Sequence, residues 1–363
     1  MRSFSTTPAY GVRAIYSETD NAELNSILNT IQESIILPAY LPQKQRRIVF
    51  DPKKRNYLEQ NPIDIEVEGH EHRFKSIDVA KDIPAAREML WKALAAMKTK
   101  EDWANLGTIL AGFRKARVVL STNQQAKLMR LAIQNGQIGV LLECLKQARE
   151  TGLYVANKEQ LLTLFQGVNR QILDAEGDVA EIKQATRSGE IILDLIQRPD
   201  NMEKMVAGRD TRSFLHFSPL ARGMLLHARV SLVKAKQQAE EPIDEDMVTI
   251  KDDLLLLNSL WAPHLRDGIP LSEFPELKEM NPAHTVQKAN RFVPHAVSGS
   301  SYLQCLGWVI RGIKVAEELS IDEATPLLPL VESLETHAAE VIRECGEKSA
   351  KWAEEYEALK AGA

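Results

Sequence analysis

Apolar side chains between residues 86 and 198 recur at intervals of three and four positions, in blocks separated by short polar stretches. Such intervals place the apolar side chains on one face of a helix. The blocks come in pairs about every 35 residues, which is a period typical of proteins built from stacked helix pairs. Two helix starts have the spacing of a capping box, namely Thr99 with Asp102 and Thr122 with Gln125.

Each predicted helix pair leaves one apolar face uncovered, and a neighbouring pair must cover it. The sequence therefore predicts a mainly α fold, with an α-solenoid of helical hairpins over residues 84–200 and a further helical region over residues 201–363. In the third pair, the first helix opens at Asn157 and the second runs from about Asp178 to Ile196. The C-terminal region contains several further amphipathic stretches.

Proline is well suited to the first turn of a helix, where no backbone N–H is required. Pro219 after Ser218 and Pro326 after Thr325 therefore predict two helix starts in the C-terminal region. Gly346 is expected to end the second of these helices.

One short segment has the period of a β-strand rather than of a helix. Residues 63–68 alternate apolar and acidic side chains, and Gly69 begins a turn toward a second strand over residues 72–77. We therefore predict a small N-terminal β-hairpin. His70, Glu71 and His72 are placed at its tip, where two histidines without a third ligand favour an exposed polar turn over a metal site.

The segment from Gln125 to Asn157 resembles a pentatricopeptide repeat in length and pattern, with Gly136 closing its first helix and Gly152 following its second. The resemblance covers residues 86–198 as three degenerate units and also fits a tetratricopeptide-like architecture. Membership in that family implies helical hairpins, an organellar location and, frequently, RNA binding.

The repeats depart from the pattern of the RNA-reading members of that family. In those members a polar residue near the start of the first helix and the last residue of the unit recognise each base. The matching positions here are Ala126 with Ala156, and Leu161 in the next unit. None of these side chains can hydrogen-bond to a base edge, so the resemblance favours a scaffold that contacts protein or the RNA backbone.

A basic segment lies between the first predicted helix and the hairpin. It contains six cations and one anion over residues 44–55, with aromatic side chains among and after them. Clustered cations bind phosphates and planar side chains stack on bases. Our candidate RNA-backbone-binding residues in this segment, which is read as a loop, are Lys44, Arg46, Arg47, Lys53, Lys54, Arg55 and Tyr57. Lys75, Arg114, Lys115 and Arg117 are candidate neighbours, and an ordinary solvated loop is the alternative.

The net charge of −5 is unevenly distributed along the chain. Residues 1–155 carry 22 Lys and Arg against 17 Asp and Glu, whereas the remaining 208 residues carry 23 against 33. The N-terminal part is therefore at +5 and the C-terminal part at −10. A polyanionic partner is expected to contact the N-terminal part, and ordinary variation between solvated faces is the alternative.

The first 19 residues are rich in hydroxyl groups and contain no acidic residue before Glu18. This composition is typical of mitochondrial targeting, since a secretory signal needs a continuous apolar core. Residues 2–6 also resemble the processing site of fungal mitochondrial presequences. Only four residues precede the cut, so either translation starts farther upstream or the resemblance is accidental. Residues 1–19 are thus interpreted as a targeting remnant, and residues 20–83 as an extension that carries the basic segment and the hairpin.

The sequence offers no catalytic or cofactor-binding pattern. It contains neither a phosphate-binding glycine loop nor a nucleophile elbow, and Gly299-Ser300 lacks the second glycine of such an elbow. The three cysteines are far apart, which favours buried thiols in a reducing compartment. The longest aliphatic run, Leu254 to Leu257, is far shorter than the roughly 20 residues that span a bilayer. We therefore predict no enzymatic activity, no cofactor, no metal and no transmembrane segment.

Together these features predict a non-enzymatic helical-repeat scaffold in mitochondrial gene expression. It is expected in the matrix, either as a component of the mitochondrial ribosome or as a factor bound to ribosomal or messenger RNA. Two alternatives stay open: a protein-only assembly or translation-activating factor for a respiratory-chain complex, and a cytosolic adaptor.

Overall fold

The computed structural model describes residues 15–67, 70–77, 85–199, 214–282 and 299–361. Residues 1–14 of the predicted targeting segment therefore lie outside the described part of the chain. The described residues are mainly helical, as expected. The first helices are α1 (Ala22–Ile31), α2 (Gln43–Val49), α3 (Arg55–Gln60), α4 (Ala86–Ala96), α5 (Lys100–Ala104), α6 (Leu106–Lys115), α7 (Thr122–Gln134), α8 (Ile138–Lys146) and α9 (Ala148–Thr151). They are followed by α10 (Lys158–Asp174), α11 (Val179–Gln197), α12 (Pro219–Gln238), α13 (Asp244–Leu260), α14 (Ala262–Leu265), α15 (Pro275–Met280), α16 (Gly299–Glu318), α17 (Leu328–Cys345) and α18 (Ala350–Ala361).

Helix starts in the predicted repeat region are evenly spaced. The first helices of the three pairs, α4, α7 and α10, begin at Ala86, Thr122 and Lys158, so successive starts are 36 residues apart. Gly136 and Gly152 follow α7 and α9 with φ of 70° each, a left-handed conformation that glycine adopts without strain. The second helix of each of the first two predicted pairs is divided, into α5 and α6 and into α8 and α9.

The chain divides into two compact units. Unit 1 consists of residues 1–125 and 139–154, and unit 2 of residues 126–138 and 155–363. The second helix pair is therefore shared: most of α7 belongs to unit 2, and most of α8 belongs to unit 1.

Within unit 1, a side-chain amide joins the segment before α1 to the residue that precedes α6. Asn105 is 2% exposed, and its side chain accepts a hydrogen bond from the Ser17 backbone N–H at 2.9 Å and donates one to the Ser17 carbonyl oxygen at 3.1 Å. Helix α1 then packs against α4. The π-helical turn Gln32–Ile36 approaches α6 at Gly112, where a Cβ atom would lie 2.2 Å from Cδ1 of Ile36.

The predicted hairpin is confirmed, with strands β1 (Asp64–Val67) and β2 (His70–Arg73) paired in antiparallel register from Asp64 with Arg73 to Val67 with His70. The placement of His70, Glu71 and His72 at the tip was wrong. Only two residues separate the strands, so all three belong to β2. His72 packs edge-on against Phe74 with 4.9 Å between the ring centroids.

Unit 2 is arranged around α12, which packs against α10, α11, α13 and α16. His227 of α12 is buried among these helices. Its Nδ1–H donates to the side-chain oxygen of Asn169 at 2.6 Å, since the amide nitrogen of Asn169 already donates to two backbone carbonyls. Its ring lies 4.8 Å from that of Trp308. Burial and the charge of Arg311 lower the pKa of His227 to about 3, so the imidazole is neutral at physiological pH.

Helices α12 and α16 approach closely at glycine. A Cβ atom added to Gly312 would lie 2.9 Å from the backbone nitrogen of His227 and 3.2 Å from the carbonyl oxygen of Gly223. These neighbours are backbone atoms, which cannot move aside as a flexible side chain can. The contact therefore requires the absence of a side chain at position 312.

The N-terminus of α12 is capped twice. The Ser218 side chain accepts a hydrogen bond from the Ala221 N–H at 3.1 Å. It also donates to the buried carboxylate of Glu276 at 2.7 Å, and the same carboxylate accepts from the Leu220 N–H at 3.3 Å. Burial nevertheless raises the pKa of Glu276 above its ordinary value, although Lys158 lies 4.0 Å away.

Two predicted helix starts were displaced. The capping pair at α7 is Ser121 with Gln124, one position before the predicted pair, because the Ser121 N–H donates to Gln124 Oε1 at 2.9 Å. Pro326 lies inside the 3-10 helix Asp322–Leu327, so α17 begins at Leu328 and has Pro329 in its first turn.

Candidate RNA-backbone surface

The basic segment lies on a small module with its own core. Seven buried apolar side chains form that core: Leu37, Leu41, Val49, Leu58, Ile63, Val67 and Phe74. They come from the turns before α2, from α2 and α3, and from the hairpin and the residues next to it. The Ile77 N–H donates to the Val49 carbonyl oxygen at 2.9 Å and thereby joins the residues after the hairpin to the end of α2.

The expectation that the basic segment is a loop was wrong. Helix α2 follows Pro42, buries Val49 and has Arg46 and Arg47 in its last turn, where cations interact favourably with the helix dipole. The Asp51 side chain then accepts from the Lys53 N–H at 3.1 Å and caps the 3-10 helix Pro52–Lys54. Helix α3 follows directly, so the cations are held on consecutive helical turns.

The seven candidate residues differ in how free they are. Arg55 forms an ion pair with Glu59 at 3.4 Å, and the guanidinium of Arg46 lies 5.7 Å from the ring centroid of Phe50. Tyr57 is 53% exposed, which leaves its ring open to stacking. The other four candidates are exposed, and no carboxylate among the described residues lies within 4.0 Å of them: Lys44, Arg47, Lys53 and Lys54. We call these four the free cations.

One candidate neighbour from the repeats lies beside this module. The Lys115 ammonium lies 4.9 Å from the ring centroid of Tyr40, an exposed residue just before α2. Tyr40 was not among the predicted residues, because no local pattern in the sequence indicates that its ring is exposed. Lys75, Arg114 and Arg117 are exposed as well.

The hairpin contributes less positive charge than its sequence indicates. Arg73 donates two hydrogen bonds to the Asp64 carboxylate, at 2.9 and 3.3 Å. These hydrogen bonds hold the pKa of Asp64 below its ordinary value, and the carboxylate compensates the positive charge of Arg73. The strand register creates this pair, since Asp64 is directly opposite Arg73.

Two of the three positions that would read bases in a pentatricopeptide repeat are buried. Ala126 is 1% exposed and Leu161 is fully buried. Ala156 is half-buried, and its backbone N–H donates to the side-chain oxygen of Gln160 at 2.6 Å. Ala126 and Leu161 therefore belong to the packing of α7 and α10.

Two further features bear on the class of protein. In the described ranges, no group of three or more His, Cys, Asp or Glu side chains is arranged to hold a metal ion. Among the same residues, no helix combines the length and the apolar character needed to cross a bilayer.

The described part of the chain is thus mainly helical and carries exposed cations on a compact N-terminal module. The chain belongs to the family of the mitochondrial ribosomal protein mS27, whose family model matches residues 2–361. It is also similar to the small ribosomal subunit protein mS27 of Neurospora crassa, with 28% identity over 195 residues. The aligned region is 53% of this chain and 49% of the Neurospora protein, so the chain spans about half the length of that relative.

Family membership decides two of the predictions made from the sequence. The chain is a mitochondrial protein, and it belongs to a family of ribosomal proteins rather than of enzymes.

Proposed function

We propose that this protein is a structural component of the small subunit of the mitochondrial ribosome, located in the matrix, which binds ribosomal RNA through the phosphate backbone. The relative from Neurospora crassa is a small-subunit protein, which supports the choice of particle. The free cations carry the proposal of RNA contact, because four exposed positive charges without a described carboxylate partner can be neutralised by phosphates.

The proposed contact does not depend on base sequence. Phosphate contacts position a protein on RNA, whereas contacts to base edges specify sequence. The repeat positions suited to base readout are apolar and largely buried. The RNA is therefore bound by its charge and shape, with Tyr57 as a site for stacking on an unpaired base.

A quadruple variant of the full-length chain tests the RNA contact. It carries Lys44→Gln, Arg47→Gln, Lys53→Gln and Lys54→Gln, and its affinity for small-subunit ribosomal RNA is measured by filter binding at several salt concentrations. Each phosphate contact contributes about 0.7 to 0.9 to the slope of log affinity against log salt, so the slope should become shallower by about 3.

The matched control neutralises four exposed cations on other helices: Lys100, Lys183, Arg187 and Arg343. This control should leave the slope nearly unchanged. If both variants lose the same affinity, the binding is a general effect of charge, and the proposed surface is wrong.

We further propose that the helix pairs stack as a pentatricopeptide-like solenoid. The 36-residue interval between first helices supports this, as does the packing of α10 on α11 and of α11 on α12. A compact globule of this length has a radius of gyration of about 21 Å. Small-angle scattering of the purified chain should give a clearly larger value, and a value at the globular limit would contradict the solenoid. The four-part division at residues 19, 83 and 200 stays a prediction.

A further inference from the structure

Helix α13 presents two large aliphatic side chains to solvent. Val248 is 62% exposed and Leu255 is 58% exposed. They are seven residues apart, which places them on the same face two turns from each other. The opposite face packs against unit 2, where Ile250, Leu254 and Leu257 are buried. The outer face of α13 is thus apolar in part, although unit 2 does not cover it.

Acidic side chains are frequent in α13 and just before it. Residues 240–260 contain seven Asp and Glu and a single cation, Lys251. Two of the acids are held by α12, since Asp246 pairs with Lys236 at 2.5 Å and Asp253 pairs with Arg229. The other five are exposed, with no described cation within 4.0 Å: Glu240, Glu241, Asp244, Glu245 and Asp252. We call these five acids, together with the exposed Val248 and Leu255, the α13 surface.

The charge of the α13 surface restricts its occupant. Five carboxylates without a described cation repel RNA phosphates. A second copy of the chain, bound through the same face by a two-fold axis, would place these carboxylates opposite each other. A protein segment rich in lysine and arginine meets neither obstacle, and steering by opposite charge favours its association.

We propose that the α13 surface is a docking site for a basic segment of a neighbouring protein, with aliphatic side chains that cover Val248 and Leu255. This inference rests on the proposed function, which places the chain in a ribosomal particle. It assigns the two charged parts of the chain to different partners: RNA for the free cations, and protein for the α13 surface. The lysines and arginines of the segment pair with the carboxylates around the apolar contact.

Photo-crosslinking from the surface itself identifies the occupant. A photoreactive phenylalanine analogue replaces Val248 in the full-length chain, and crosslinks are formed in intact mitochondria. We expect a protein crosslink that survives ribonuclease, and mass spectrometry should find a crosslinked peptide with an excess of Lys and Arg and with aliphatic residues. The same analogue at Val119, which is 63% exposed in unit 1, is the control and should not capture that peptide.

Surface variants test the chemistry of the contact. Val248→Ser with Leu255→Ser, and separately Glu240→Lys with Glu241→Lys and Asp252→Lys, should each weaken recovery of the identified partner by roughly tenfold. Glu332→Lys with Glu340→Lys and Glu344→Lys, three exposed positions of α17, is the charge-matched control and should have little effect. The changed positions are exposed, so circular dichroism should show the same helix content in every variant.

Several outcomes would overturn the inference. These are a crosslink to RNA, a crosslink to a second copy of the chain, an acidic or neutral peptide, or no crosslink. Sedimentation separates this failure from failure of the proposed function. If the chain sediments with the small subunit but lacks the crosslink, only the docking inference is lost, whereas a chain that never sediments with the subunit contradicts both.

Discussion

The close approach of α12 and α16 predicts that a single methyl group at Gly312 destabilises unit 2. In Gly312→Ala, the new Cβ would lie 2.9 Å from the backbone nitrogen of His227 and 3.1 Å from its Cα. Ordinary contacts of a Cβ atom begin near 3.4 Å, so the helices must separate by several tenths of an ångström. That separation loosens the packing along the interface, including the ring contact of His227 with Trp308.

Two opposing effects determine how much Gly312→Ala changes the free energy of unfolding. Alanine in the middle of a helix is more stable than glycine by about 1 kcal/mol. Overpacking of a well-packed interior costs about 1 to 3 kcal/mol, and the upper value applies here because the obstructing atoms are backbone. The net loss in the free energy of unfolding is therefore about 2 kcal/mol. For a unit of this size, that loss lowers the melting temperature by roughly 4 to 8 °C.

The assay is urea and thermal unfolding of the full-length chain, followed by circular dichroism. Gly139→Ala in α8 is the matched control, because a Cβ at that position would meet nothing within 4 Å. The control should be unchanged or more stable by up to about 1 kcal/mol. If Gly312→Ala is as stable as the control, the approach of the two helices is looser than described, and the reasoning fails.

Three further predictions concern buried titratable groups. His227 binds a proton near pH 6.5 in the unfolded chain but only near pH 3 in the folded one, so its contribution to stability is lost as the pH falls. Urea titrations should show a loss of about 2 kcal/mol in the free energy of unfolding between pH 7 and 5. His227→Gln should remove that loss. The contribution of Glu276 to stability depends on pH in the opposite direction. Because its pKa is raised in the folded state, that contribution is most favourable below the ordinary pKa of 4.5. At pH 7, Glu276→Gln should be at least as stable as the natural protein, whereas Glu276→Ala should lose about 1 to 3 kcal/mol because it leaves the capping donors unpaired. Burial raises the pKa of Cys144 and Cys305 to about 12, so iodoacetamide at pH 8 should label only the half-buried Cys345 in the native chain, and all three thiols after denaturation.

Helix boundaries set by neighbouring residues could be predicted closely. Asn157 caps α10 as expected, and its side chain accepts from the Gln160 N–H at 2.9 Å. Helix α11 runs from Val179 to Gln197, within one residue of the predicted bounds. Ser218 and Pro219 likewise begin α12. In each case the signal is a side chain that satisfies backbone groups only two or three positions away.

The sequence of the basic segment does not predict its helices, because they are too short to show a period. Helix α2 has seven residues and α3 has six, so each has few apolar positions on its buried face. Long-range packing of Val49 and Leu58 with the hairpin stabilises them, and such packing is not visible in a local pattern. The positive charge of the segment could therefore be predicted, but not the helical turns that hold it.

The number of usable charges in the site also depends on tertiary structure. Arg55 and Glu59 are four residues apart on a helix, and this ion pair becomes predictable only once the segment is known to be helical. The pairing of Arg73 with Asp64 requires the register of the hairpin, which the two-residue connection between its strands determines. A count from the sequence alone therefore overstates the positive charge available to RNA.

The N-terminal and C-terminal parts of the chain have opposite net charges, and the structure shows where the exposed charges of each part lie. In the N-terminal part, the free cations lie on exposed helical turns above a compact core, and Lys115 lies against the ring of Tyr40, just before α2. In the C-terminal part, α12 holds two of the acids of α13, and the remaining five, in and just before α13, are exposed, as are Val248 and Leu255. A surface with exposed aliphatic groups binds protein with a more favourable free energy than it binds hydrated phosphates, because protein can cover the apolar area. Charge and apolar exposure therefore favour the same division of partners, with RNA at the N-terminal module and basic protein at the α13 surface.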